Sequence, residues 1–133
     1  MPFELPIPPD AVADNRSLEM IRVWLAKGKL YCVLNIGFWE DRGMDECNAW
    51  GILLADMLHH IANAHEEEYG RDRRETIKRV REALLIEMKH PTADRLGEFV
   101  ARKQRAPSQR KERLGEFVTR IQRAPSQRKK SRG

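Results

Sequence analysis

The apolar residues of this chain change their spacing once, and that change restricts the folds open to it. In LEMIRVWLAKGKLYCVLNIGFW, residues 18–39, the period is two. Ile21, Val23 and Leu25 alternate with Met20, Arg22 and Trp24, and beyond AKGK the residues Leu30, Cys32, Leu34, Ile36 and Phe38 share one side. Alternation places one set of side chains on each face of a strand, and Gly28 supplies the permissive backbone of a tight connection. The segment predicts an antiparallel hairpin with one apolar face.

After EDRGMD, residues 40–45, the period becomes helical. Asp45 is suited to cap a helix, because its carboxylate can accept from first-turn amides that lack partners within the helix. Trp50, Leu54, Met57, Ile61 and Ala64 form one stripe, with Asp56, His59, His60 and Asn63 opposite. Gly70 ends this helix and Asp72 caps the next, in which Ile77, Val80, Leu84 and Met88 repeat the pattern until Pro91 stops it. The expected fold is therefore α+β, an antiparallel hairpin followed by two amphipathic helices that lie on one face of it. Before it, residues 1–16 hold four prolines and predict an extended lead-in.

A body spanning residues 17–94 is small. Domains of this size bury only about 60% of their unfolded surface, and an isolated hairpin leaves open edges. Edge-to-edge pairing in a symmetric dimer would enlarge the core, so a homodimer is expected.

Charge separates the body from the rest. Residues 1–94 carry 12 Lys/Arg and 17 Asp/Glu, whereas residues 95–133 carry 13 and 3. Residues 95–111 and 113–129 are two copies of one segment, differing only at Ala101 against Thr119 and Lys103 against Ile121. Each opens with a weakly amphipathic phrase, Leu96, Phe99 and Val100 or Leu114, Phe117, Val118 and Ile121, and closes on RAPSQRK. Gly97 and Gly115 each cost a helix roughly 1 kcal/mol relative to alanine. Residues 95–133 thus predict a basic tail built on a tandem 18-residue repeat, disordered or weakly helical. Clustered positive charge attracts polyanions.

Five stretches taken together resemble a known family: Val23 with Trp24, Gly28 with Lys29, GFWED at 37–41, AWGILLADMLHHIANA at 49–64 and YGRDRRETIKRVREAL at 69–84. The family is one of small uncharacterised bacterial proteins built around a domain of unknown function, and the likeness spans roughly residues 5–90. It implies a bacterial source and no particular activity. GMDECN, residues 43–48, departs from the family's pattern, in which this loop is shorter, and the doubled tail lies outside the likeness.

No motif calls for a cofactor or a metal. On a helix His65 lies about 120–140° around from His59 and His60, too far for the three to converge on one ion. They read as a solvated face. Cys32 reads as a small core residue, and Cys47 sits beside Asp45 and Glu46, whose charge opposes a thiolate. The start of the chain has neither the basic nor the apolar region of a signal peptide, and the longest uncharged run, Leu30 to Trp39, is far below the roughly 20 residues of a membrane helix. A cytoplasmic protein is expected.

Two functional readings follow. The leading one is a non-catalytic dimeric interaction domain whose arm binds nucleic acid or another polyanion weakly through Arg110, Lys111, Arg128, Lys129, Lys130 and Arg132. The alternative is a small enzyme or ligand-binding domain with a site at Trp39, Glu40, Asp41 and Trp50, where paired carboxylates would sit between tryptophan walls. An anionic membrane surface, met by Phe99, Phe117 and Ile121, is a further possible target of the arm.

Overall fold

The computed structural model describes residues 1–91 and 99–101. These fall into two units, the first holding residues 1–36 with 99–101 and the second residues 37–91. The expected α+β order is present: a two-stranded antiparallel hairpin followed by two long helices.

In the first unit, β1 (Ile21–Ala26) pairs with β2 (Lys29–Leu34), Ile21 opposite Leu34 and Ala26 opposite Lys29. Lys27 and Gly28 form the two-residue connection with φ of 52° and 71°. Left-handed backbone at both positions is the type I′ turn, whose twist matches that of the flanking strands. Glycine adopts it freely, while at Lys27 it carries a steric cost on the order of 1 kcal/mol.

The strand stops at Leu34 and does not reach Phe38 as the alternation predicted. Asn35 closes the ladder by donating its amide N–H to the Met20 carbonyl at 3.0 Å. The chain then turns through Gly37, whose φ of 84° favours a residue without Cβ. Phe38 therefore belongs to the following loop.

The lead-in contains one short helix. The prolines of residues 1–16 predicted extended chain, yet α1 (Pro9–Ala13) begins with proline in its first turn, where the missing N–H would have no helical acceptor. Ser17 Oγ donates to the Ala11 carbonyl at 2.6 Å. Arg22 of β1 grips Glu19 through two bonds, at 2.7 and 3.0 Å, and reaches Glu4 at 3.0 Å. These bonds to Glu19, and then its charge, hold the guanidinium proton more firmly than usual. The lead-in is thereby tied to the first strand.

A third strand, β3 (Phe99–Ala101), pairs parallel with β2, giving the order β1-β2-β3. Cys32 is aligned with Phe99, Val33 with Val100 and Leu34 with Ala101. The first repeat copy was expected to be weakly helical; at these three residues it is a strand. A run as short as Phe99–Val100 cannot reveal its period by itself. The partner strand lies far upstream in the chain.

In the second unit, α2 (Glu46–Tyr69) and α3 (Arg73–Lys89) form a helical hairpin. Its caps are the expected ones. Asp45 Oδ1 accepts from the Asn48 N–H at 3.0 Å, and Asp72 Oδ1 from the Glu75 N–H at 2.9 Å. Gly70, with φ of 64°, donates to the Glu66 carbonyl while Arg71 donates to that of His65. This paired pattern satisfies carbonyls that the end of the helix leaves free.

The buried positions of α2 differ from the predicted stripe. Ala49 and Ala62 are fully buried, whereas Leu54, Met57 and Ile61 stay 51%, 38% and 40% exposed. On α3 the buried residue is Thr76, whose Oγ1 donates to the Asp72 carbonyl at 3.0 Å. Small side chains let a helix approach its neighbours closely and are covered most easily. Size outweighs hydrophobicity here.

Candidate interaction surface

Two places combine residues singled out from sequence with a geometry that says what they do. The first is the loop between β2 and α2. A turn of 3-10 helix, Glu40–Arg42, closes on Gly43, whose φ is 70°. The Arg42 and Met44 amides both donate to the Trp39 carbonyl, at 2.9 and 3.1 Å. This tight wrapping turns the Trp39 side chain inward, where it is 2% exposed and the largest fully buried side chain among the described residues. Phe38 meets it edge-on with ring centres 5.6 Å apart, and Trp50 does so from α2 at 5.4 Å. Edge-to-face contacts of this kind place the positive rim of one ring against the negative face of the next.

Glu46 joins the parts. One carboxylate oxygen accepts from the Gly37 N–H at 2.5 Å and from the Trp50 indole N–H at 3.2 Å, and the other accepts from the Glu40 N–H at 3.1 Å. A single side chain at the start of α2 thus fixes the strand exit, the 3-10 turn and a tryptophan. Arg42 completes the loop, with its guanidinium 3.9 Å from the centre of the Phe38 ring and Nη1 donating to the Phe38 carbonyl at 2.6 Å.

Of the four residues of the alternative site, the structure brings Trp39 and Trp50 into contact and leaves Glu40 and Asp41 exposed on the 3-10 turn. Glu46 and Arg42 were missed as organisers of this loop. The available signal was Glu46 directly after a helix-capping Asp45, where a carboxylate also meets the positive end of the helix dipole.

The second place is the hairpin. Cross-strand partners share a face, so Ile21, Val23 and Leu25 stand with Leu34, Cys32 and Leu30. Every one of these side chains is apolar. Val23 is 47% exposed, Leu25 82% and Leu30 51%, while Ile21, Cys32 and Leu34 are half-buried. The opposite face carries Arg22, Trp24, Ala26, Lys29, Tyr31 and Val33. One face of the hairpin is thus apolar and partly accessible to water.

The histidines behave differently from one another. His59 and His60 are exposed, whereas His65 meets Tyr69 edge-on at 5.4 Å, and its Nδ1 lies 3.2 Å from an Arg71 nitrogen. Among the described residues no group of three His, Cys, Asp or Glu side chains could hold a metal ion. No helix among them is long and apolar enough to cross a membrane. Arg110, Lys111, Arg128, Lys129, Lys130 and Arg132 lie outside the described residues.

Comparison with known proteins places the fold. A solved structure from the photosynthetic bacterium Rhodopseudomonas palustrus CGA009, described as that of "a putative pyruvate dehydrogenase", is similar with a TM-score of 0.51 and 24% sequence identity. The match covers 80% of this chain and 97% of that one, and it is a likeness of fold alone. No curated protein matches the chain. The family model described as a domain of unknown function, DUF5076, matches residues 4–92, the span that holds the hairpin, the aromatic loop and both helices, and the chain belongs to that family.

Proposed function

We propose that the protein is a non-catalytic interaction domain that self-associates through its hairpin and carries a basic arm for polyanions. The observation that carries the first part is the wholly apolar hairpin face, with Leu25 at 82% exposure beside Leu30 at 51%. A second copy is the occupant that best suits it. The face contains no charge for a charged partner to recognise, and a two-fold axis would set it against itself, as the interfaces of symmetric dimers require. Among the described residues the buried apolar ones are Phe38, Trp39, Ala49 and Ala62, all of them in the second unit. Further apolar burial between copies would add what one chain lacks.

Leu25 and Leu30 are cross-strand partners, which gives a clean test. The double variant Leu25→Glu, Leu30→Lys replaces the apolar pair by an ion pair within the hairpin while making the face hydrophilic. Each leucine returned to water forfeits about 1.5–3 kcal/mol. The dimer dissociation constant should rise at least about 100-fold, with the circular dichroism of the chain preserved. Unchanged self-association of the variant would exclude the hairpin as the interface.

The arm reading rests on charge. Residues 95–133 carry 13 basic and 3 acidic side chains against an acidic body. Binding through Arg110, Lys111, Arg128, Lys129, Lys130 and Arg132 would be blind to sequence and sensitive to salt, because each neutralised phosphate releases counterions. Replacing all six by glutamine should weaken retardation of DNA or RNA and lower the slope of log K against log salt by up to about 5. A native chain that retards no nucleic acid at low salt would refute the arm. Truncation is the poorer experiment if made after Asp94, since it also removes β3 from the sheet.

A further inference from the structure

The direction of the hairpin's backbone hydrogen bonds singles out one of its edges. In an antiparallel pair, opposed residues alternate between those that bond to each other and those whose N–H and C=O turn outward. Asn35 donates to the Met20 carbonyl at 3.0 Å, so Met20 and Asn35 are a bonded pair. Moving by twos along the register, Arg22, Trp24 and Ala26 also bond to β2. Ile21, Val23 and Leu25 therefore direct their N–H and C=O groups to the other side. That side is open. β1 ends the order β1-β2-β3, and among the described residues no backbone group of the lead-in bonds to it.

An open edge invites pairing unless it is short, bulged, or guarded by proline or lysine. β1 runs for six residues, IRVWLA, without either guard, and its register with β2 is unbroken. Its charged residue, Arg22, is neutralised by Glu19 and Glu4. We propose that the β1 edges of two copies pair antiparallel about a two-fold axis at Val23, joining their sheets into one; this rests on the self-association proposed above and names the groups that meet.

Self-complementarity selects that axis. It sets Val23 beside the second copy's Val23 and Ile21 beside the second copy's Leu25, so every outward group of Ile21, Val23 and Leu25 finds a partner. The same pairs bring apolar side chains together on the face where Val23 is 47% and Leu25 82% exposed. On the other face Arg22 falls opposite the second copy's Trp24, a favourable meeting of cation and indole. An axis at Arg22 would set two guanidinium groups against each other. An axis at Trp24 would place Ile21 opposite Lys27 of the turn and lose those bonds.

Amide hydrogen exchange of the full-length protein, followed by NMR above and below the dissociation constant found by sedimentation, tests the pairing. Above it, the Ile21, Val23 and Leu25 amides should exchange at least about 10-fold more slowly than below it. Those of Arg22, Trp24 and Ala26 should be protected at both concentrations. Val23→Pro removes a donor that β2 does not use, a change that edge strands tolerate. It should raise the dissociation constant at least about 10-fold, whereas Val23→Thr, which keeps the N–H and the branched shape, should change it far less.

An assembly whose Ile21, Val23 and Leu25 amides exchange equally fast at both concentrations would overturn edge pairing and leave self-association standing. Equal weakening by Val23→Thr and Val23→Pro would also overturn it, since that reports side-chain contact alone. A single-chain mass throughout, with these amides slow at every concentration, would show the edge covered within one copy and contradict both readings.

Discussion

Replacing Trp39 by alanine should remove about 3–5 kcal/mol of stability, the range for truncating a large aromatic side chain in a packed interior. The reason is positional. At 2% exposure Trp39 touches both Phe38 and Trp50, and its backbone carbonyl receives two amides of the loop that follows. Few other side chains could compensate, because among the described residues the remaining buried apolar ones are Phe38 and two alanines. A domain of this size has on the order of 5–15 kcal/mol in total. The loss should therefore lower the thermal midpoint by about 12–40 °C at 4–8 °C per kcal/mol. Denaturant unfolding followed by circular dichroism checks this, and a loss below about 1 kcal/mol would show that the aromatic junction is not the centre of its unit.

The second large effect concerns Glu46. Hydrogen bonds to a charged group contribute about 1.5–3 kcal/mol each, and this carboxylate accepts three, from Gly37, Glu40 and Trp50. They share one side chain, and its surroundings are half-buried, so they do not add in full. Glu46→Ala should cost about 2–3 kcal/mol. Glu46→Gln should cost less, since one oxygen still accepts, while the new NH2 faces a donor. Both should also shift tryptophan emission, because the Trp50 indole loses or alters its acceptor. An alanine variant as stable as the native chain, with unaltered emission, would mean that the carboxylate merely accompanies the loop.

Much of the fold was legible because it is local. The Lys27–Gly28 turn, the Asp45 and Asp72 caps and the Gly70 stop each depend on a few neighbouring residues and their own backbone. Such events leave marks at fixed spacing. What alternation could not convey is where a strand loses its partner, and so Phe38 was placed on β2 when it belongs to the aromatic junction. Helical periodicity locates an apolar stripe but says nothing of what lies opposite it. Ala49 and Ala62 are covered while Leu54, Met57 and Ile61 face water more openly.

The aromatic loop was half legible. Trp39 and Trp50 stood out as large anchors, but Glu46 reaches back to Gly37, and no periodic pattern announces such a contact. The strand inside the first repeat copy was hidden for a stronger reason. Its partner register runs from Cys32 to Leu34, and Gly97 before it argues only against helix. Long-range parallel pairing has no local signature.

The proposed function depends on whether two copies of this chain meet through the apolar face of the hairpin. Sedimentation equilibrium of the full-length protein at micromolar concentration tests it most directly. Self-association requires a mass twice the 15.5 kDa of one chain, falling toward the single-chain value on dilution. A mass of one chain throughout the micromolar range would contradict it.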